Sequence, residues 1–80
     1  MEKGQIVCSK AGSDKNSFSV ITEINGKYVL ICDGKRHKLA SPKRKNMKHL
    51  AAMEEVLGVE KFLTDKALRT VLAVYRSNIE

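Results

Sequence analysis

Lysine and arginine are concentrated in one short stretch of the chain, KRHKLASPKRKNMKHL at residues 35–50. Seven of them lie between residues 35 and 48 with no Asp or Glu among them, namely Lys35, Arg36, Lys38, Lys43, Arg44, Lys45 and Lys48. Like charges this close repel one another, and solvent, salt or a polyanion must relieve the repulsion. Nucleic-acid phosphates are suited to this, because cations that neutralise them release counterions. The stretch therefore predicts contacts with a phosphate backbone rather than with base edges.

A second candidate site is the turn-forming segment AGSDKNS at residues 11–17. Gly12 tolerates a positive φ, and Asn16 is the next most tolerant residue type. Lys10 and Lys15 lie on either side of Gly12, so backbone and two charges could face one phosphate together. The alternative for both lysines is a solvated surface position.

One histidine and the aromatic residues complete the candidates. His49 could donate to a phosphate or pack at a strand edge. Phe18, beside the turn, is the one candidate for stacking on an unpaired base, with core packing as the alternative. The remaining aromatic residues, Tyr28, Phe62 and Tyr75, are expected in the core.

No pattern in the sequence points to catalysis, so no catalytic residue and no cofactor are expected. The chain has two histidines, no Gly-rich phosphate loop and no serine in a nucleophile elbow. Its two cysteines, Cys8 and Cys32, are expected to be small buried hydrophobic residues. A zinc site that combines them with His37 and His49 would lack the usual Cys-x-x-Cys pair, so no metal is expected.

Length and charge distribution limit the organisation of the chain. Its 80 residues suffice for a single compact domain, and the net charge of +6 is uneven. Residues 1–50 hold eleven basic and four acidic groups, whereas residues 51–80 hold four and five. A polyanion-facing front and a structural or partner-facing tail are expected. The sequence shows neither a membrane-spanning apolar run nor a secretory signal, which predicts a cytoplasmic protein without membrane contact.

Short β-rich runs must position these groups. GQIVCSK at 4–10 is predicted as a strand, and FSVITEINGKYVLICDG at 18–34 as a hairpin whose turn is Asn25-Gly26. A two-residue turn there pairs Val20 with Ile31 and gives a hairpin that is apolar on both faces. One face would close a small barrel, and another element would cover the other face.

The later segments are predicted more coarsely. RHKLA at 36–40 is expected to be a strand that ends before Pro42, KRK at 43–45 a linker, and NMKHL the last of about five strands. AAMEEVLGVEKF at 51–62 is interpreted as a short helical turn, because Met53, Val56 and Leu57 have helical spacing. An amphipathic helix over about 65–77, capped by Thr64, would pack on the hairpin.

The first fifty residues resemble the KOW motif of ribosomal proteins and transcription elongation factors. The resemblance is carried by Gly4, Ala11-Gly12, Asp14-Lys15, Val20-Ile21 and Ile24. PKRKNMKHL is also similar to the segment that closes the barrel in archaeal and eukaryotic large-subunit ribosomal proteins of the fourteen-e type and in small bacterial proteins resembling them. The position of Asn16 is commonly glycine in the motif. The similar region spans residues 2–50 and matches nothing in the tail.

This resemblance implies a mainly β fold, an SH3-like barrel at 1–50 with a C-terminal extension at 51–80. It also implies a noncatalytic RNA-binding protein, with ribosomal RNA as the expected partner and translation as the setting. Two alternatives stay open. One is an adaptor that binds a ribosomal or transcription-machinery protein through the barrel and the tail helix. The other is DNA binding. No recognition helix is evident for it, because the basic residues Lys66, Arg69 and Arg76 are sparse.

Overall fold

Five antiparallel strands and a C-terminal helix make up the fold in the computed structural model, which describes residues 1–79. The elements are β1 (Gln5–Ser9), β2 (Phe18–Asn25), β3 (Tyr28–Cys32), β4 (Lys43–Asn46), β5 (Leu50–Val56) and α1 (Asp65–Ile79). The sheet order is β4-β3-β2-β1-β5, and a 3₁₀ turn at Met47–His49 joins its two edge strands. The predicted mainly β fold, a small barrel-like sheet with a C-terminal helix packed on it, is thereby confirmed.

The sheet is apolar on both faces, as the sequence predicts. One face encloses the barrel cluster of Val7, Ile21, Val29, Ile31 and Leu50. The opposite face carries Ile6, Val20 and Cys32, which are covered by Leu57, Leu68 and Leu72. Full burial of an aliphatic side chain contributes about 1.5–3 kcal/mol, so Leu68 and Leu72 can hold a helix that would be marginal alone.

The register of the β2–β3 hairpin differs from the prediction. Asn25 pairs with Tyr28, so the turn residues are Gly26 and Lys27 instead of Asn25 and Gly26. Gly26 has a φ of +64° and Lys27 does not have a positive φ, an arrangement typical of a type II′ turn. A bulge between Ile21 and Glu23 shifts the pairing once more.

This shift changes which side chains share a face. Val20 pairs with Cys32, not with Ile31 as the sequence predicts. Because a slip of one residue turns a side chain to the other face, Val20 lies under α1 while Ile31 lies in the barrel. The predicted grouping of Val20, Val29 and Ile31 on one face is therefore wrong.

The predicted strand at 36–40 is also wrong, because that segment is a folded loop. The Asp33 carboxylate accepts from the amides of Lys35, at 2.9 Å, and His37, at 3.0 Å. The amide of Leu39 donates to the Asp65 carboxylate of α1 at 2.8 Å. The carboxylates of Asp33 and Asp65 thus accept hydrogen bonds from backbone amides that would otherwise donate across a β ladder.

The segment predicted as a linker, KRK, belongs to β4 and completes the sheet. Lys43, Arg44 and Lys45 pair with Ile31, Leu30 and Val29 of β3. A strand with this many charges is suited to a sheet edge, because lysine and arginine discourage further pairing with another chain.

The predicted helical turn at 51–62 is wrong over most of its length. Residues 51–56 continue β5, which pairs with β1 through Ala52 opposite Val7 and Ala51 opposite Cys8. The free edge of β1 overrides the helical propensity of this alanine- and glutamate-rich segment. A single 3₁₀ turn follows at Val59–Lys61. The extension after residue 50 thus adds a strand to the sheet as well as the helix.

The C-terminal helix begins as predicted and ends two residues later. The Thr64 hydroxyl accepts from the Ala67 amide at 3.1 Å, which confirms Thr64 as the N-cap. Gly34, at a φ of +80°, lies against the first turn, where an added Cβ would be 2.5 Å from the Asp65 carbonyl oxygen. Within the described residues, no helix has the length and apolar character needed to cross a bilayer.

Candidate nucleic-acid interface

The segment at 11–16, here called the KOW-like loop, has the backbone geometry that the sequence predicts. Gly12 has a φ of +88° and Asn16 a φ of +71°. The loop is closed at its base because the Asn16 amide donates to the Ser9 carbonyl at 2.8 Å. Asn16 thus adopts the left-handed conformation that the sequence predicts for it.

Three cationic side chains converge on this loop from three different elements. Lys45 of β4 donates to the Ala11 carbonyl at 3.4 Å, and Arg36 of the 33–42 loop donates to the Ser13 carbonyl at 3.4 Å. Arg76 of α1 donates to the Asn16 carbonyl at 2.8 Å. The tight turns of the KOW-like loop leave these carbonyls available, so the loop gathers basic residues that are distant in sequence.

Lys45 differs from the other cations of the basic stretch because it forms an internal ion pair. Its Nζ lies 2.8 Å from the Asp14 carboxylate, and the two side chains are 10% and 9% exposed. Burial acts to raise the pKa of Asp14, but the hydrogen bond and positive charge of Lys45, together with hydrogen bonds from the backbone and from Ser9, lower the pKa below its usual value. The sequence predicts a phosphate contact for Lys45; in the fold its charge is paired with the Asp14 carboxylate.

The strand β4 divides the remaining charges of the KRK segment between two sides. Alternate residues of a strand point to opposite faces, so Lys43 and Lys45 lie on the side of Ile31 and Val29. Arg44 lies on the other side with its partner Leu30. The seven predicted cations are therefore not assembled on a single face.

On that second side, Arg44 stacks on an exposed aromatic ring. Its guanidinium carbon lies 4.3 Å from the centroid of Tyr28, which is 38% exposed. The two residues border a cavity of about 230 Å³ together with Glu23 and Leu30. The prediction that Tyr28 is a core residue is wrong, because Tyr28 directly follows the turn at the exposed end of the hairpin. Tyr28 and Arg44 together form an exposed stacked pair that the sequence does not predict.

Phe18 is half-buried and packs against the core under α1, which is the alternative to base stacking given for it above. Its ring packs against Tyr75 in an edge-to-face arrangement at 5.5 Å between centroids, and the Arg76 guanidinium carbon lies 5.4 Å from its centre. It lines an open groove of about 700 Å³, here called the α1 groove. The groove is lined by Ser17, Phe18, Asp33, Lys35, Arg36, Arg69, Leu72, Ala73 and Arg76.

Arg69 and Arg76 are the cations that sequence reasoning set aside as too sparse. They are seven residues apart, so two turns of helix place them on the same side of α1. Arg69 donates to the Gly34 carbonyl at 2.8 Å. The helical spacing of the two arginines was the available signal, but the loops that face them could not be foreseen from it.

The other predicted site residues are exposed at the surface. Lys10 is joined to the 3₁₀ turn that holds Lys48 and His49, because its amide donates to the His49 carbonyl at 2.9 Å. The side chains of all three are exposed. Lys15 and Lys38 are exposed as well, on the KOW-like loop and on the 33–42 loop.

The two cysteines are unpaired thiols in different surroundings. Cys32 is buried, as expected, and burial raises the pKa of its thiol, with the nearby Asp65 and Asp33 carboxylates adding to the increase. Cys8 is only half-buried. Within residues 1–79, no three side chains of His, Cys, Asp or Glu are grouped closely enough to hold a metal ion.

Comparison with known proteins adds no assignment. No protein-family model matches the chain, and no curated protein matches its sequence.

Proposed function

We propose that this protein is a noncatalytic RNA-binding protein that holds RNA through contacts between its exposed cations and the phosphate backbone. The observation that carries the proposal is the lack of charge compensation. Among the described residues, Lys45 is the one member of the basic stretch with a carboxylate within ion-pairing distance. The other six are exposed on the described surface, so their charge is available to a polyanion.

The number of available cations sets the expected salt dependence. If a single-stranded RNA passes along both sides of β4 and contacts all six cations, the slope of log affinity against log salt is about −4, at roughly −0.7 per contact. Each contact at about 0.1 M salt then contributes a factor of about five in affinity. Lys45 is omitted from this count because its charge is neutralised by Asp14.

The surroundings of α1 and Tyr28 favour RNA over duplex DNA. The helix packs on the sheet through Leu68 and Leu72, and its basic side chains reach back to loops of the same chain. A recognition helix must instead project into a major groove. The exposed ring of Tyr28 under Arg44 offers a surface on which an unpaired base can stack.

The resemblance to the KOW motif supports ribosomal RNA as the target and translation as the process. The cytoplasm is the compartment we propose. A ribosomal target predicts that the native protein cosediments with a ribosomal subunit at low salt and is released from it at high salt. A protein that stays in the supernatant at low salt while still binding RNA oligonucleotides would contradict the ribosomal target alone.

The experiment that tests RNA binding is charge reversal on β4 without Lys45. In the double variant Lys43→Glu/Arg44→Glu, two exposed cations are lost. We expect RNA affinity in a filter-binding assay to fall about 25-fold or more at about 0.1 M salt, since two contacts contribute a factor of about five each. The matched control is Lys61→Glu/Lys66→Glu, which makes the same change of charge outside the stretch. Equal losses in the two variants would contradict a localised interface.

A second candidate function is a protein-interaction adaptor, which the connection between β5 and α1 favours. Val59 and Leu63 in this segment are 65% and 69% exposed, which is unusual for large apolar side chains close together. Binding of a protein partner through them would depend little on salt. An affinity for RNA that does not change with salt, or no affinity, would favour this function over RNA binding.

A further inference from the structure

We propose that the α1 groove is a second RNA-binding site, which takes the ribose-phosphate backbone of a single-stranded segment. The inference deepens the proposed function and depends on it. It extends the interface from the predicted basic stretch to the C-terminal helix, which the KOW-like region does not include. The groove joins two residues of the stretch, Lys35 and Arg36, to Arg69 and Arg76 of α1.

The cations lie on two walls of the groove. Lys35 and Arg36 belong to the 33–42 loop, and Arg69 and Arg76 lie on the helix. At 1.5 Å per residue, the two helical arginines are spaced about 10 Å along the helix axis. They can therefore contact different phosphates of a strand that runs along the groove.

The three arginines are held in place before any ligand binds. Each donates to one backbone carbonyl: Arg36 to Ser13 at 3.4 Å, Arg69 to Gly34 at 2.8 Å and Arg76 to Asn16 at 2.8 Å. A guanidinium has five N–H donors, so one such bond fixes the group and leaves other donors for a ligand. Less side-chain entropy is then lost on binding.

The groove carries an excess of positive charge. Its lining holds four cations and one acid, Asp33. One oxygen of the Asp33 carboxylate accepts from the amides of Lys35 and His37, so this acid is engaged in shaping the loop. Among the described residues, none of the four cations has a carboxylate within ion-pairing distance. An anionic ligand can therefore gain from all four.

The apolar part of the lining favours a nucleotide chain over an acidic peptide. Phe18, Leu72 and Ala73 lie beside the cations, and the Arg76 guanidinium covers the Phe18 ring. Guanidinium planes and apolar surfaces of this kind accept unstacked bases, while the arginines contact the phosphates. The groove also adjoins the KOW-like loop through Arg36 and Arg76, which makes it continuous with the proposed interface.

The test uses the full chain and a short fluorescent oligouridylate as the probe, with affinity measured by anisotropy between about 50 and 200 mM salt. In Lys35→Gln/Arg76→Gln we expect the salt slope to become shallower by about 1.4 and the affinity at about 0.1 M salt to fall about 25-fold. The variant Lys61→Gln/Lys66→Gln should behave as the wild type.

Two further measurements separate binding from folding. Lys35 has no side-chain hydrogen bond or ion pair among the described residues, so Lys35→Gln alone should keep the fold and reduce the slope by about 0.7. Addition of oligouridylate should also shift the backbone amide resonances of Ser17, Leu72 and Ala73 in the wild type, because these residues line the groove.

Each other outcome overturns a different statement. If the wild type binds RNA but Lys35→Gln/Arg76→Gln lowers the slope no further than Lys35→Gln alone, and the groove amides do not shift, the groove is not a site and the proposed function stands. If the wild type binds no RNA, both fall. A polyglutamate peptide that binds the groove more tightly than oligouridylate at equal salt would overturn the assignment to RNA.

Discussion

Replacement of Lys45 by methionine should destabilise this protein far more than the same replacement at Lys43. The change removes the counter-charge of Asp14 while keeping most of the volume of the side chain. Both side chains are about nine-tenths buried and the charged atoms are 2.8 Å apart. Breaking a buried pair of this kind costs about 3–5 kcal/mol, whereas an exposed pair contributes about 0–1 kcal/mol. A domain of this length has roughly 4–12 kcal/mol of stability in total.

Thermal unfolding followed by circular dichroism measures this loss. At about 4–8 °C per kcal/mol, a loss of about 3 kcal/mol lowers the melting temperature by at least 12 °C or so. Lys43→Met is the matched control, because Lys43 is exposed on the same strand two positions away; its effect should stay within about 0.5 kcal/mol. The double variant Asp14→Asn/Lys45→Met should recover much of the loss, since no unpaired charge remains. A Lys45→Met protein that melts together with Lys43→Met would refute the structural role of the pair.

Three further results are expected. The pKa of Asp14 is lower in the folded state than in the unfolded state, so ionised Asp14 stabilises the fold at neutral pH and this stabilisation is lost as the pH falls below about 4. Asp14→Asn should therefore flatten the acid limb of a curve of unfolding free energy against pH. An unchanged acid limb would contradict the pairing. Gly34→Ala should lower the free energy of unfolding, measured in urea, by about 2–4 kcal/mol, because Gly34 has a positive φ and lies against Asp65. Gly26 also has a positive φ but has open space around it, so Gly26→Ala should lower the free energy of unfolding by about 1–2 kcal/mol. Val29→Asp should unfold the domain, because Val29 is fully buried in the barrel cluster; a native circular dichroism spectrum would show that cluster to be wrongly placed.

The sequence predicts the parts of this fold that depend on local chemistry. The turn residues Gly12 and Asn16, the cap at Thr64 and the apolar stripe of α1 are set by neighbours within a few positions, and the structure confirms them. The two-sided hairpin is confirmed for the same reason. Its register is not, because the bulge near Glu23 depends on how the whole sheet packs.

The predictions that fail are those decided by distant partners. The strand predicted at 36–40 is replaced by a loop because Asp65, from the far end of the chain, takes the amide of Leu39. The segment after residue 50 becomes β5 because β1 offers a free edge.

The candidate site has the same limit. The sequence shows which residues are basic, but it does not show that Lys45 is neutralised by Asp14. Nor does it show that Arg76 reaches Asn16 across 60 positions of the chain. A carboxylate that pairs at long range is invisible to a count of charges within a window. The basic stretch is therefore a sound signal for charge and a poor guide to which cations can reach a ligand.

The most direct measurement for the central claim is the salt dependence of RNA affinity in the wild-type protein. If exposed, uncompensated cations hold the phosphate backbone, a plot of log affinity against log salt should be linear. The slope should be about −4 from the six cations of the basic stretch, and steeper if the α1 groove also binds the RNA. A slope near zero, or RNA affinity that is undetectable at low salt, would contradict the account.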